Sequence, residues 1–131
     1  MVLARKEPDV PYMRISEISE KANIPRKFLE AILLDLRNKG YLNSRSGLHG
    51  GYYLTEKPEN ITLSAIIRQT SGPIAILACA SLNYYQRCKD CPDEQLCGLH
   101  ALGVEVREAT LEVLNNKTIA DLIRTESGML L

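Results

Sequence analysis

A mainly α-helical chain with one small β-hairpin, closing on a long helix, is the fold that three features of the sequence predict. Leu29, Ile32, Leu33 and Leu36 recur at i, i+3, i+4 and i+7 just after Pro25, the spacing of a helix face turned to a core. Two strand-like runs, Tyr41-Leu42-Asn43-Ser44-Arg45 and Tyr52-Tyr53-Leu54, flank the glycine-rich Ser46-Gly47-Leu48-His49-Gly50-Gly51, a hairpin signature. Leu102, Val106, Ala109 and Val113 recur at spacings of four and three, the seam of a coiled-coil-like helix.

Composition narrows the class. The chain has 131 residues, one domain's worth with a small appendage. At 45% hydrophobic and 24% charged residues it is a folding composition, not that of a disordered chain. No run of 18 apolar residues spans a membrane. The opening Met1-Val2-Leu3-Ala4-Arg5 is too short in apolar residues for a signal peptide. The expectation is a cytoplasmic protein with no membrane partner. One Phe and no Trp argue against a large aromatic pocket, and two histidines, His49 and His100, limit acid–base catalysis. No nucleophile is paired with a base, so neither an enzyme nor a small-molecule substrate is expected. The net charge of zero hides an asymmetry: residues 1–55 hold nine Lys/Arg against six Asp/Glu, and the remainder seven against ten. A basic half suits contact with a polyanion.

Along the chain, residues 1–6 read as the tail of a helix whose earlier turns lie upstream of Met1. Residues 9–15 read as a loop and short extended stretch. Ser16 is the expected N-cap of a first helix, with Glu17 and Glu20 suited to its first turn. Ile18 and Ala22 give that helix a small apolar face, and Asn23, tolerant of a left-handed backbone, stops it. Pro25 fits the first turn of a second helix, which runs to about Lys39, and Gly40 ends it. Its stripe Leu29, Ile32, Leu33, Leu36 is read as core. The hairpin follows, then a linker over 56–60. Thr62 caps a helix over Leu63–Thr70. Residues 74–98 read mostly as loop, Leu99–Asn115 as the long helix, Ile119–Arg124 as a final turn behind Thr118, and 126–131 as a frayed end. The expected organisation is therefore 1–57, 58–98 (connecting helix and cysteine loop) and 99–131 (dimerisation helix and tail).

Helix, tight turn and amphipathic helix followed by a hairpin make a winged helix-turn-helix. Such a unit places its second helix in the major groove of double-stranded DNA. Arg26 and Lys27 reach phosphates or guanine edges, and Glu30, one turn on, accepts from cytosine. Arg45 and His49 supply the wing, and its glycines let the backbone approach a phosphate. The alternative is a protein-binding winged helix with a solvated charged face. The seam from Leu102 to Val113 is too long for the core of so small a domain, which points to a homodimer able to read a two-fold operator.

All four cysteines lie within 19 residues, as Cys79 and then Cys88-Lys89-Asp90-Cys91-Pro92-Asp93-Glu94-Gln95-Leu96-Cys97-Gly98-Leu99-His100. Three thiols and a histidine so close together are a ligand signal for zinc or an iron–sulfur cluster. Cys79 or His100 stands as a fourth ligand. The competing readings are a reversible disulfide pair and inert buried thiols, the latter above all for Cys79. A thioredoxin-type site is not expected around Cys88 and Cys91, because no βαβ pattern encloses them.

Taken together, Ile15-Ser16-Glu17-Ile18-Ser19, Phe28-Leu29-Glu30, Leu36-Arg37-Asn38-Lys39-Gly40, the wing from Gly47 to Tyr52, the cysteine loop and Thr118-Ile119-Ala120-Asp121-Leu122 resemble the Rrf-two (Rrf2) family of winged-helix transcription regulators. The resemblance spans about residues 1–124. It implies a homodimer whose long helix crosses the partner, and in sensing members a 2Fe–2S or 4Fe–4S cluster that alters DNA affinity. The family's cysteine positions fall on Cys88, Cys91 and Cys97, a histidine that completes the site on His100, and a base-reading glutamate on Glu30. Ser16, Gly50, Gly51 and Tyr52 are also expected at the DNA-binding surface. The chain departs from the family pattern in the close spacing of Cys88 and Cys91, in Ser46 where arginine is common, and in His49 where glycine is usual.

Overall fold

The computed structural model describes residues 1–6 and 9–128. Five α-helices and a two-stranded hairpin follow the predicted order: α1 (Ile15–Ala22), α2 (Arg26–Asn38), β1 (Leu42–Arg45), β2 (Gly51–Leu54), α3 (Leu63–Thr70), α4 (Gly98–Asn115) and α5 (Ile119–Glu126). Short 3-10 turns lie at Val2–Arg5, Pro58–Asn60, Ala78–Ala80 and Glu94–Leu96. Residues Met1–Asn60 with Ile119–Leu131 form one compact unit and Ile61–Thr118 another.

The first unit is the winged helix-turn-helix. Leu3, Met13, Ile18, Leu29, Leu33 and Leu42 are buried together, with Ile15, Ile24, Leu36, Tyr52 and Leu54 packed against them. Each such side chain contributes roughly 1.5–3 kcal/mol on leaving water. The turn between α1 and α2 works as its residues dictate. Asn23 takes the left-handed conformation at φ 53°, and the Ser19 hydroxyl donates to the Ile24 carbonyl at 2.7 Å. After α2, Gly40 sits at φ +83°, where a side chain would be strained. The strands pair antiparallel with Leu42 opposite Leu54 and Arg45 opposite Gly51. The segment before α1 joins them: Met13 bridges Tyr52, with N···O distances of 3.0 and 2.8 Å. Within this unit Arg5 pairs with Glu126 of α5.

Four local expectations change. Residues 2–5 form a 3-10 turn, not the end of an α-helix. Arg14, not Ser16, is the N-cap of α1, because the Glu17 carboxylate reaches back to accept the Arg14 backbone N–H at 2.9 Å. This leaves Ser16 inside the first turn and exposed. Pro25 stands just before α2, where its carbonyl accepts the N–H of Phe28 and Leu29. Ile32 is 44% exposed: the core lies along Leu29 and Leu33, and Ile32, three positions after the first and one before the second, is rotated toward its edge. The expected fraying of 126–131 falls partly outside the described residues, which end at 128.

The second unit packs α3 and the 78–80 turn on α4. Thr62 caps α3, its hydroxyl accepting from Ala65 N at 3.3 Å. Ile61, Ala80 and Leu111 are buried here. Gly103 of α4 is buried against Leu77 and Ala80, and a Cβ at that position would lie 2.9 Å from Leu77 Cδ1. The two ends of the unit meet where Thr62 bridges Thr118.

Candidate nucleic-acid interface and cysteine loop

Burial of Leu29 and Leu33 fixes which side of α2 faces outward. Arg26, Lys27 and Glu30 are all exposed, as expected of residues that lie off the apolar stripe. Arg26 and Glu30 are paired to one another, Nε to Oε1 at 3.2 Å. An exposed i,i+4 pair of this kind is worth a few tenths of a kcal/mol. Lys27 makes no hydrogen bond or ion pair among the described residues. Phe28, 68% exposed, stands beside it.

Period-two alternation gives the wing two faces. Leu42, Tyr52, Leu54 and Met13 turn toward the core. Arg45 and Tyr53 turn the other way, where Tyr12 meets Tyr53 edge-on at 5.4 Å between ring centroids. The Arg45 guanidinium donates to the Tyr12 hydroxyl at 3.2 Å and lies 5.7 Å from its ring centroid. The hydrogen bond to Tyr12 raises the Arg45 pKa further. Arg14 Nη2 donates to the carbonyl of Leu48 at the wing tip. His49 is exposed at the same tip. Sequence reasoning missed Tyr12 and Arg14, although Tyr12-Met13-Arg14 already shows the alternation of an added strand.

The wing glycines serve the chain's own geometry. A Cβ on Gly51 would lie 2.5 Å from the Met13 carbonyl oxygen, and one on Gly50 2.0 Å from that of Arg45. Their absent side chains let the Met13 strand and the turn close. Tyr52 is half-buried and carries the Met13 bridge.

In the second unit, the cysteines divide by environment. Cys79 lies in the 78–80 turn docked on α4, where Arg107 of α4 donates to the Ala80 carbonyl. Cys88 is exposed, and Cys91 and Cys97 are partly covered. Cys97 precedes α4 as its N-cap. The His100 backbone N–H, then the Cys91 thiol and the Leu99 N–H, bond its sulfur and lower its pKa. Cys91 moves the other way, raised first by burial and then by its hydrogen bond to Cys97. The Cys91 thiol also contacts the Asp93 carbonyl at 3.3 Å. His100 Nδ1 is buried without a hydrogen-bond partner. An open concavity of about 500 Å³ is lined by Arg87, Cys88, Lys89, Asp90, Cys91 and Pro92. The Tyr85 hydroxyl reaches the Glu94 carboxylate and ties together the two limbs of this loop. Among the described residues no three His, Cys, Asp or Glu side chains are gathered about one ion position.

The seam residues stand on the outer side of α4. Leu102 is 51% and Val113 60% exposed, while Gly103 and Leu111 are buried. No helix among the described residues is long and apolar enough to cross a membrane.

Comparison with known proteins agrees with this architecture. The Rrf2 profile, described as an iron-dependent transcriptional regulator, matches residues 1–125. The rrf2-like HTH-type transcriptional regulator of Rhodobacter capsulatus is 39% identical over 111 residues, 85% of this chain and 74% of that protein. The solved structure of CymR (YrzC), the global cysteine regulator of Bacillus subtilis, superposes with a TM-score of 0.70 at 30% identity, covering 92% of this chain and 84% of that one. IscR of T. potens shares the fold, with a TM-score of 0.72 at 22% identity over 99% of this chain and 81% of that one.

Proposed function

The chain belongs to the Rrf2 family of DNA-binding transcriptional regulators, whose members are regulators and not enzymes, and on that premise we propose that it is a cytoplasmic homodimer that senses iron, oxygen, nitric oxide or redox state through an iron–sulfur cluster on the cysteine loop. The observation that carries the sensing half is the donor set. Cys88, Cys91, Cys97 and the orphaned His100 Nδ1 occupy thirteen consecutive residues of one unit. Soft thiolates with one imidazole suit a 2Fe–2S or 4Fe–4S cluster, and the concavity beside Cys88 and Cys91 offers room. Bound there, the cluster supplies an iron centre that reacts with oxidants or nitric oxide. Cys79 is the reserve ligand.

The chain's own residues do the rest. Lys27 and Arg45 meet phosphates, Arg26 and Glu30 lie over base edges, and Ser16, His49, Gly50, Gly51 and Tyr52 border the same surface. Leu102, Val106, Ala109 and Val113 form the dimer seam. Cys97 opens the helix that carries that seam, so ordering the loop is linked to the helix that sets the dimer. The spacing of two recognition helices must match a helical turn of DNA, about 34–36 Å, and a small change at the seam alters it.

The test is anaerobic reconstitution with iron and sulfide, followed by titration of apo and reconstituted protein against a duplex the protein selects from a random pool. Visible absorption bands and unequal affinities are expected. Replacing Cys88, Cys91 or Cys97 with Ala abolishes the bands, and Cys79→Ala has the smaller effect unless it is the fourth ligand. No iron uptake, or equal binding by both forms, defeats the sensing reading. The hydrogen bond between Cys91 and Cys97 favours one second reading, a thiol switch or structural zinc site on the same loop.

A further inference from the structure

The outward face of the wing carries an arrangement that α2 does not share. Arg45 stands opposite Gly51 in the hairpin. Because Met13 bridges Tyr52 in antiparallel register, Arg14 falls on the other side of Gly51. The two strands and the segment bridged to them at Met13 therefore set arginine, glycine, arginine in a row across one face. The two arginine Cα atoms are separated by two strand spacings, about 10 Å, with no side chain between them. Both side chains are exposed. Neither makes an ion pair among the described residues. Each is instead held by a neutral oxygen: Arg45 by the Tyr12 hydroxyl and Arg14 by the Leu48 carbonyl. A guanidinium has five N–H donors, so one such bond fixes its direction and leaves donors free.

Two directed cations in one cross-strand row, neither of them in an ion pair, match the chemistry of a single phosphodiester; the nearby Glu17 carboxylate is engaged by the Arg14 backbone N–H and not by its guanidinium. We propose that Arg14 and Arg45 form a clamp for one backbone phosphate of duplex DNA, with Tyr12 as the residue that aims Arg45. The clamp rests on the DNA-binding reading and adds to it a contact from the start of α1. It positions the wing without reading sequence, since phosphate contacts set register and base contacts set specificity.

The test is fluorescence anisotropy of the intact protein on a random-sequence duplex, with salt varied from about 50 to 200 mM. Arg14→Gln removes the charge and keeps an amide donor for the Leu48 carbonyl. It lowers the slope of log affinity against log salt by ~0.9, as does Arg45→Gln, because each lost phosphate contact frees one fewer counterion. The double variant loses the same ~0.9, because both arginines serve one phosphate; a loss of ~1.8 would put them on two separate phosphates and overturn the clamp. Arg14→Lys retains the slope. Thermal melts by circular dichroism establish that each variant is folded. Weaker binding by Arg14→Gln at an unchanged slope makes Arg14 a staple of the wing tip and overturns the clamp, as does no effect at all. An affinity of the wild type that ignores salt defeats the DNA-binding reading itself.

Discussion

The Tyr85 hydroxyl lies 2.8 and 2.9 Å from the two carboxylate oxygens of Glu94. The tie spans the cysteine loop, since Tyr85 precedes Cys88 and Glu94 stands between Cys91 and Cys97. The bond to Glu94 also raises the Tyr85 pKa. Tyr85→Phe removes only the hydroxyl. We expect unchanged melting of the whole protein and faster alkylation of Cys88 and Cys91, measured by mass spectrometry of tryptic peptides. Equal labelling rates in the two proteins would show that the tie does not restrain the loop.

The thiols of the apo loop separate by pH. The pKa of Cys97 is lowered by the His100 N–H, so its thiolate persists to more acidic pH than that of an ordinary cysteine. The Cys91 pKa is raised, and its thiolate forms only at higher pH. Iodoacetamide labelling followed from pH 6 upward, a range spanning the ordinary thiol pKa of about 8.5, should therefore modify Cys97 at lower pH than Cys91. The reverse order would mean that the helix N-terminus does not stabilise the Cys97 thiolate.

On α2, Glu30 neutralises Arg26 in the free protein. Glu30→Ala releases that cation and removes a negative charge near phosphates. Non-specific affinity should hold or rise while sequence preference relaxes. Lys27→Ala, by contrast, should lower the salt slope by ~0.9 on every sequence. A uniform loss of binding in Glu30→Ala would make the residue structural.

Gly51→Ala tests the wing as a packed object. Its Cβ meets the Met13 carbonyl carbon at 2.7 Å as well as the oxygen, and both are backbone atoms that cannot swing aside. Forcing a methyl into so closed a space costs about 1–3 kcal/mol. Urea unfolding should register that loss at unchanged m-value; stability equal to the wild type would show that the added strand separates freely from the hairpin.

The exposed seam of α4 predicts the oligomer. Leu102→Glu with Val113→Glu should convert a dimer to a monomer in sedimentation equilibrium, with helical content retained. A monomeric wild type would remove the dimer from the proposal.

Local rules made much of this protein legible in its sequence. The α2 stripe, Asn23 and Gly40 at helix ends, the hairpin glycines and the Thr62 cap depend on residues within a few positions of one another, where backbone sterics and periodicity decide. The clustering of Cys88, Cys91, Cys97 and His100 is likewise a property of the chain itself. Tertiary structure decided what separate segments do to one another. Ile32 belongs to the apolar stripe by spacing, yet its burial depends on what packs beside α2. Met13 joins the hairpin across 39 positions, which brings Tyr12 to Arg45 and Arg14 to the wing tip. Gly51 looked free to approach DNA until the Met13 strand occupied the space beside it. Arg107 and Gly103, unremarkable along α4, fix the turn that carries Cys79. Such contacts arise only when the chain closes into three dimensions, because no periodicity in one segment records which other segment will lie against it.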